Sequence, residues 1–292
     1  MRRRFFRAAG AWALLLALAL PVWGAAKIEP KKVLTLDPML ELLVQFIGGP
    51  YVRTTSALYW GPRDQLAQSR GRVMSGAAYS QPLIALDRKQ YDDFATSTRR
   101  GRAGALTKAE RERPALFCLF SPGVRTVPPT QFYGDPANLP YTAQQVMNAL
   151  CGLMPERFAY FQRRLGEFNA RLRSVLISGR RRFAGVKVLC LSELWRPFFE
   201  ASGAIVSSPA PAENYRIRSL ARAGSWKGGM ALGEPLRDGR LIVCDWRTEP
   251  SVRRGLATYA GAVYLPPPRD EDVLFYIHHM ILIMGSRLDQ MK

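Results

Sequence analysis

The sequence predicts an α/β fold in two lobes, each a mainly parallel sheet flanked by helices, joined by a long rigid linker helix. Three observations predict it. Short apolar runs alternate with amphipathic segments, the pattern of strands and helices in parallel-sheet units. The alternation stops near the middle of the chain and restarts after it. Between the halves, Phe158, Phe161, Leu165, Phe168, Leu172 and Val175 recur in steps of 3, 4, 3, 4 and 3, a continuous helical stripe.

In the first half, Lys32–Leu36 (KVLTL) reads as a strand. Asp37 suits the N-cap of the next helix, Pro38 its first turn, and Gly48-Gly49 its end. Tyr51–Leu58 reads as a second strand, Pro82–Leu86 and Ala115–Phe120 as short buried ones. Ser97–Arg113 is polar and basic and reads as a surface loop; Ser121–Thr130 holds Pro122, Pro128 and Pro129 and must be a loop. Gln131–Ser174 then combines a Tyr-Gly-Asp-Pro-Ala-Asn turn, a short helix, a break at Met154-Pro155-Glu156 and the long helix.

After it, Gly185–Leu191, Ala204–Val206, Arg240–Cys244 and Ala262–Leu265 read as strands. Glu193–Ala201, Tyr215–Ala223 and Glu249–Ala260 fit helices. Val273–Leu288 closes the chain as a helix with Val273, Ile277, Met280, Ile281, Met284 and Leu288 on one face. The boundaries expected are residues 1–26 for a leader, 27–154 for an N-terminal lobe, 155–183 for the linker and 184–292 for a C-terminal lobe.

The leader reads as a secretory signal. Arg2, Arg3, Arg4 and Arg7 precede an apolar run, Ala11–Leu20, too short to span a bilayer comfortably, and small residues follow for cleavage after Gly24 or Ala26. An exported, periplasmic protein is therefore expected. Export disfavours nucleic acid as a partner, despite a formal charge of +19. Two readings of that charge stand: attraction to an acidic partner, whether an anionic surface, an anionic solute or a metal chelate, or a general preference for arginine as the solvated cation.

Cys118, Cys151, Cys190 and Cys244 allow three pairings in an oxidising compartment, and none forms a Cys-x-x-Cys motif. Cys190 and Cys244 end two strand patterns, so they are a candidate disulfide or soft-metal pair if those strands are neighbours; two small buried apolar residues is the other reading. No Ser–His–Asp, Cys–His or paired-carboxylate arrangement is visible, and no enzyme activity is expected.

The order and wording of Gln131–Ser174, with the strand–helix–Gly-Gly–strand opening, resemble the periplasmic solute-binding proteins of zinc and manganese ABC importers. The resemblance implies a metal-uptake role, zinc or manganese as the ion, an inner-membrane ABC permease as partner, and a site of three histidines and one carboxylate between the lobes. The ligands do not carry over. The family's first histidine falls in the loop around Arg63 and Asp64, the second on Gln131, the third on Ser192, and the carboxylate near Pro266. The two histidines of the chain, His278 and His279, are adjacent on a helix, so their side chains diverge by roughly 100° and cannot both face one ion.

What remains at the expected crevice is Trp60, Arg63, Asp64, Gln131, Tyr133, Ser192, Glu193 and Asp245. Strand carboxyl ends are where open α/β sheets bind ligands. Such a set suits a polar or anionic organic solute, or a hard cation held by oxygens. A binding or interaction protein that keeps the scaffold without transport is the alternative function.

Overall fold

The computed structural model describes residues 28–60, 66–68, 81–100, 115–120, 129–209, 214–215, 219, 240–257, 259, 261–269 and 272–291. The leader, the 61–65 loop with Arg63 and Asp64, and most of the expected 215–223 helix lie outside them.

In the first half, β1 (Lys31–Thr35) leads into α1 (Pro38–Gly48), then β2 (Val52–Ser56) and a hairpin of β3 (Leu58–Trp60) and β4 (Leu66–Gln68). β5 (Leu83–Asp87), α2 (Arg88–Arg100) and β6 (Leu116–Phe120) complete it. The sheet is parallel, in the order β2-β1-β5-β6. Asp37 caps α1 as its sequence position suggests, accepting from Met39 N at 2.8 Å and from Leu40 N at 3.4 Å. Gly49 then turns the chain with φ +53°, a backbone conformation that favours glycine, and the Tyr160 hydroxyl lies where a Cβ would stand.

A 3-10 turn over Pro129–Gly134 precedes α3 (Leu139–Leu153). After a second short turn, Pro155–Arg157, comes α4 (Phe158–Phe183), 26 residues long. The second half runs β7 (Lys187–Cys190), α5 (Arg196–Ala201), β8 (Ile205–Ser207), β9 (Leu241–Asp245), α6 (Pro250–Leu256), β10 (Ala262–Leu265) and α7 (Val273–Gln290). Its sheet is again parallel, in the order β10-β9-β7-β8.

Two parallel-sheet units with a long helix between them is the architecture the sequence predicts. Phe161, Leu165, Phe168, Leu172 and Val175 of α4 are buried as the stripe requires. Phe158 is the exception: it opens the helix and is 49% exposed. The second strand divides into β2 and β3 at Ala57, which is buried and whose N–H still donates to the Thr35 carbonyl at 2.8 Å. The stretch expected to begin a loop at Ser97 instead ends helix α2.

α4 binds the halves through one continuous core. Phe168 meets Phe46 of α1 edge-on at 5.5 Å, and Arg164 Nε donates to the Phe46 carbonyl at 3.0 Å. Towards its other end Phe183 meets Phe199 of α5 at 5.7 Å, and Arg180 Nε donates to the Ala201 carbonyl at 3.0 Å. One apolar cluster runs from Val33 and Leu40 through Phe168 to Val188 and Ile277. No helix among the described residues is long and apolar enough to cross a membrane.

Candidate functional site

Each sheet reverses its strand order between its first and third strands, and such a switch point opens a crevice at the carboxyl ends of the strands. In the first half, the residues there are Thr35 to Asp37 after β1 and Asp87 at the end of β5. In the second, they are Ser192 just after β7 and Asp245 at the end of β9.

Ser192 and Asp245 are brought together. The Ser192 hydroxyl donates to Asp245 Oδ2, and Asp245 Oδ1 accepts from Arg247 N at 2.9 Å. Both side chains are buried. Burial pushes the Asp245 carboxyl above its usual value, opposed by the Ser192 and Arg247 N–H bonds and by the Arg247 charge. Across from them, burial also raises Asp37, opposed by Tyr133, by the Met39 and Leu40 amides and by the Arg247 charge. Arg247 therefore sits within electrostatic reach of carboxylates from both sheets.

Tyr133 belongs to the 3-10 turn before α3 and is buried. Burial, and then the Asp37 carboxyl that its hydroxyl faces, hold it well above a phenol's ordinary value, yet it meets no partner with hydrogen-bond geometry. The next residue presses on the second half: a Cβ on Gly134 would lie 1.9 Å from the Leu194 carbonyl oxygen. The turn thus abuts Leu194 and Trp195 as closely as a backbone allows.

Aromatic rings fill the middle. Trp60, at the end of β3, packs edge-on against Trp246 at 5.3 Å between centroids. Trp195 packs on the same Trp246 at 6.4 Å and on Tyr276 of α7 at 5.9 Å. The Tyr276 hydroxyl donates to the Pro266 carbonyl at 2.8 Å, so the segment matched to the family's carboxylate is tied to this wall. The indole Nε1 atoms of Trp60 and Trp195 are buried without hydrogen-bond partners.

Trp60, Tyr133, Ser192 and Asp245 of the expected set therefore line one region between the halves. Glu193 turns away: it is exposed, accepts from the Ser208 hydroxyl at 2.7 Å and pairs with Arg196 at 3.7 Å. Gln131 lies in the 3-10 turn, two residues before Tyr133. The candidate Cys190–Cys244 pair is corrected. β7 and β9 are neighbours, but the register sets Cys190 opposite Val243, so Cys244 is one residue further and points to the other face. Cys190 joins the main core, Cys244 the separate cluster with Leu189 and Ile242, and all four cysteines are free. Burial pushes both thiols up, Cys244 to about 12, the state of inert core residues.

Sequence reasoning missed Asp37, Trp195, Trp246 and Arg247 as site residues. Asp37 reads as a cap and nothing more. Trp246 and Arg247 directly follow the end of β9, and Trp195 lies in the loop after β7; that position was the signal available.

Among the described residues, no three His, Cys, Asp or Glu side chains gather to hold a metal ion. His278 and His279 lie on α7; His278 borders a cavity of about 560 Å³ with Arg171, Asp272 and Phe275, apart from the strand ends.

Solved structures share the fold. ZnuA superposes with a TM-score of 0.61 at 12% identity, over 88% of this chain and 99% of that one. The Zn(II)-bound AdcAII variant of Streptococcus pneumoniae gives 0.59 at 14%, over 89% and 100%. The solute-binding protein FpvC from Pseudomonas aeruginosa, in complex with Mn2+, gives 0.59 at 12%, over 89% and 99%. No family model matches the sequence, and no curated protein matches it.

Proposed function

We propose that this chain is an exported, periplasmic solute-binding protein that delivers a ligand to an ABC permease, and that it does not hold zinc or manganese through a three-histidine site. The fold it shares with metal-binding proteins supports the general kind. The observation that carries the specific reading is the content of the crevice: Ser192 bonded to Asp245 and indoles packed on Trp246, with no set of metal ligands among the described residues. Zinc and manganese are bound by imidazole, thiolate and carboxylate in defined numbers, and hydroxyls and indoles do not replace them.

Calorimetric titration of zinc into the mature, untagged protein tests the reading. Binding is expected to be weaker than micromolar, about −8 kcal/mol. A tighter one-to-one site that survives replacement of both His278 and His279 and vanishes on Asp245→Ala would show a metal site of other ligands and refute the loss of metal binding. The close packing of Trp60 on Trp246 favours one other reading, a binding or interaction protein that keeps the scaffold without transport. Copurification of a permease with the protein from its own membrane separates the two.

A further inference from the structure

Three of the buried groups without hydrogen-bond partners stand at the crevice, and all three can donate. Trp60 Nε1–H and Trp195 Nε1–H can only donate, and the Tyr133 hydroxyl has a proton to give. Trp195 and Tyr133 are almost wholly buried, at 1% and 3% exposure. Folded proteins leave few buried donors unpaired, and each costs its desolvation when they do. Here three gather from three segments of both halves: the two indoles flank Trp246, and the turn carrying Tyr133 abuts Trp195.

The carboxylates nearby are partly engaged, and one Asp37 oxygen stays open towards Tyr133. Asp245 takes the Ser192 hydroxyl on one oxygen and Arg247 N on the other. Asp37 takes two amides of α1 on one oxygen. Arg247 is exposed, its backbone N–H donates to Asp245, and its charge acts on Asp37, Tyr133 and Asp245. A cation gains nothing from indole N–H donors and finds the carboxylates partly spent. An acceptor finds the reverse.

We propose that the crevice binds a small oxyanion, inorganic or the carboxylate of an organic solute, when the halves part to admit it, with Trp60, Trp195 and Tyr133 donating to its oxygens and Arg247 facing its charge. This rests on the solute-binding reading above and inverts the ligand chemistry that the resemblance implies. The formal charge of +19, of which the four leader arginines supply only a part, leaves a strongly basic mature chain that raises the local concentration of anions.

The test uses the mature protein at pH 7.5 with sodium phosphate, sulfate and succinate, each against sodium chloride of equal ionic strength. Melting temperature and tryptophan emission are read together, since Trp60, Trp195 and Trp246 stand at the crevice. A saturable rise in melting temperature with an emission shift is expected. Response to phosphate or sulfate alone assigns an inorganic oxyanion, and response to succinate alone a carboxylate. Trp195→Phe and Tyr133→Phe keep a ring and remove one donor each, and each should weaken the apparent affinity by about tenfold. Trp60→Phe stands in if either fails to fold. No response beyond chloride, or a response unchanged in the donor variants, overturns the proposal. A zinc titration run alongside keeps the two readings apart: tight zinc binding sinks the loss of the metal site, whereas silence towards zinc and anions sinks only the oxyanion.

Discussion

The two sheets are built to one plan and finish it differently. Each places its second strand outside its first and its third on the other side, giving β2-β1-β5-β6 and β8-β7-β9-β10. At the switch point of the first sheet, Asp37 faces the crevice and caps an eleven-residue helix. In the second, the crevice-facing groups tie strand ends to each other through Ser192 and Asp245, while the six-residue helix that follows has no side-chain cap. The comparison separates two layers of the sequence. Apolar periodicity fixes strand order and helix packing. Polar residues at the same topological place are free to serve the fold in one half and the crevice in the other, so a scaffold can change ligand without changing shape.

The largest predicted effect concerns whether the halves are separable at all. Phe168 is fully buried on α4 and packs on Phe46 of the first half, while α4 also packs on α5 and α7 of the second. Phe168→Ala should cost about 3–5 kcal/mol. Urea unfolding followed by tryptophan fluorescence and by circular dichroism should still show one coincident transition. Two separated transitions, or a loss under about 1 kcal/mol, would make the sheets independent units.

A smaller effect is expected where the halves touch at the crevice. Gly134→Ala sets a Cβ against the Leu194 carbonyl, backbone against backbone, with no flexible side chain to yield. The halves must shift, at a cost of about 1–3 kcal/mol. Tryptophan emission should move to longer wavelength as the indoles gain water. An unshifted spectrum with parental stability would show that the contact is slack.

Acidity sharpens the contrast between Asp37 and Asp245. Both carboxyls are raised by burial, so each binds its proton more tightly folded than unfolded. Their contribution to stability is therefore complete below the ordinary value of 3.8 and is lost as pH rises through the raised folded value. Asp245→Asn removes that dependence at one site. The stability difference, parent minus variant, should fall from pH 4 to pH 7. A difference that grows with pH would mean that the Ser192 and Arg247 N–H bonds outweigh burial. Asp37→Asn keeps a capping side chain, so its loss near neutral pH should be only a few tenths of a kcal/mol.

What the sequence made legible follows the same division. The stripe from Phe161 to Val175 could be read because a packed helix repeats its burial every three or four residues. Ser192 and Asp245 could be placed because strand ends mark crevices. The register of β7 against β9 could not be read, and one residue of register decides whether Cys190 and Cys244 share a face. Nor could the use of Trp195 and Trp246 be read, since a tryptophan after a strand looks the same in a wall as in a core. Arg88–Arg100 was hidden for another reason: only Tyr91, Phe94 and Ala95 are apolar among its thirteen residues, too few for a clear period.

The smallest predicted effect bears on the donors that distinguish this crevice. The Tyr133 hydroxyl is buried, faces Asp37 and makes no hydrogen bond of proper geometry. Removing an unsatisfied group recovers its desolvation, on the order of 1–3 kcal/mol, and most of that is offset by lost contacts and lost attraction to Asp37. Tyr133→Phe should therefore leave stability at pH 7 unchanged or raise it by up to about 1 kcal/mol, measured by urea unfolding. Asp37 loses the side chain that lowers its carboxyl most, so the pH dependence of stability in the acid range should move towards higher pH. A loss of more than about 1.5 kcal/mol, the scale of a hydrogen bond to a charged group, would show that Tyr133 and Asp37 are bonded in solution. The crevice would then hold two orphaned indoles rather than three orphaned donors, and the first half would contribute to it only through Trp60.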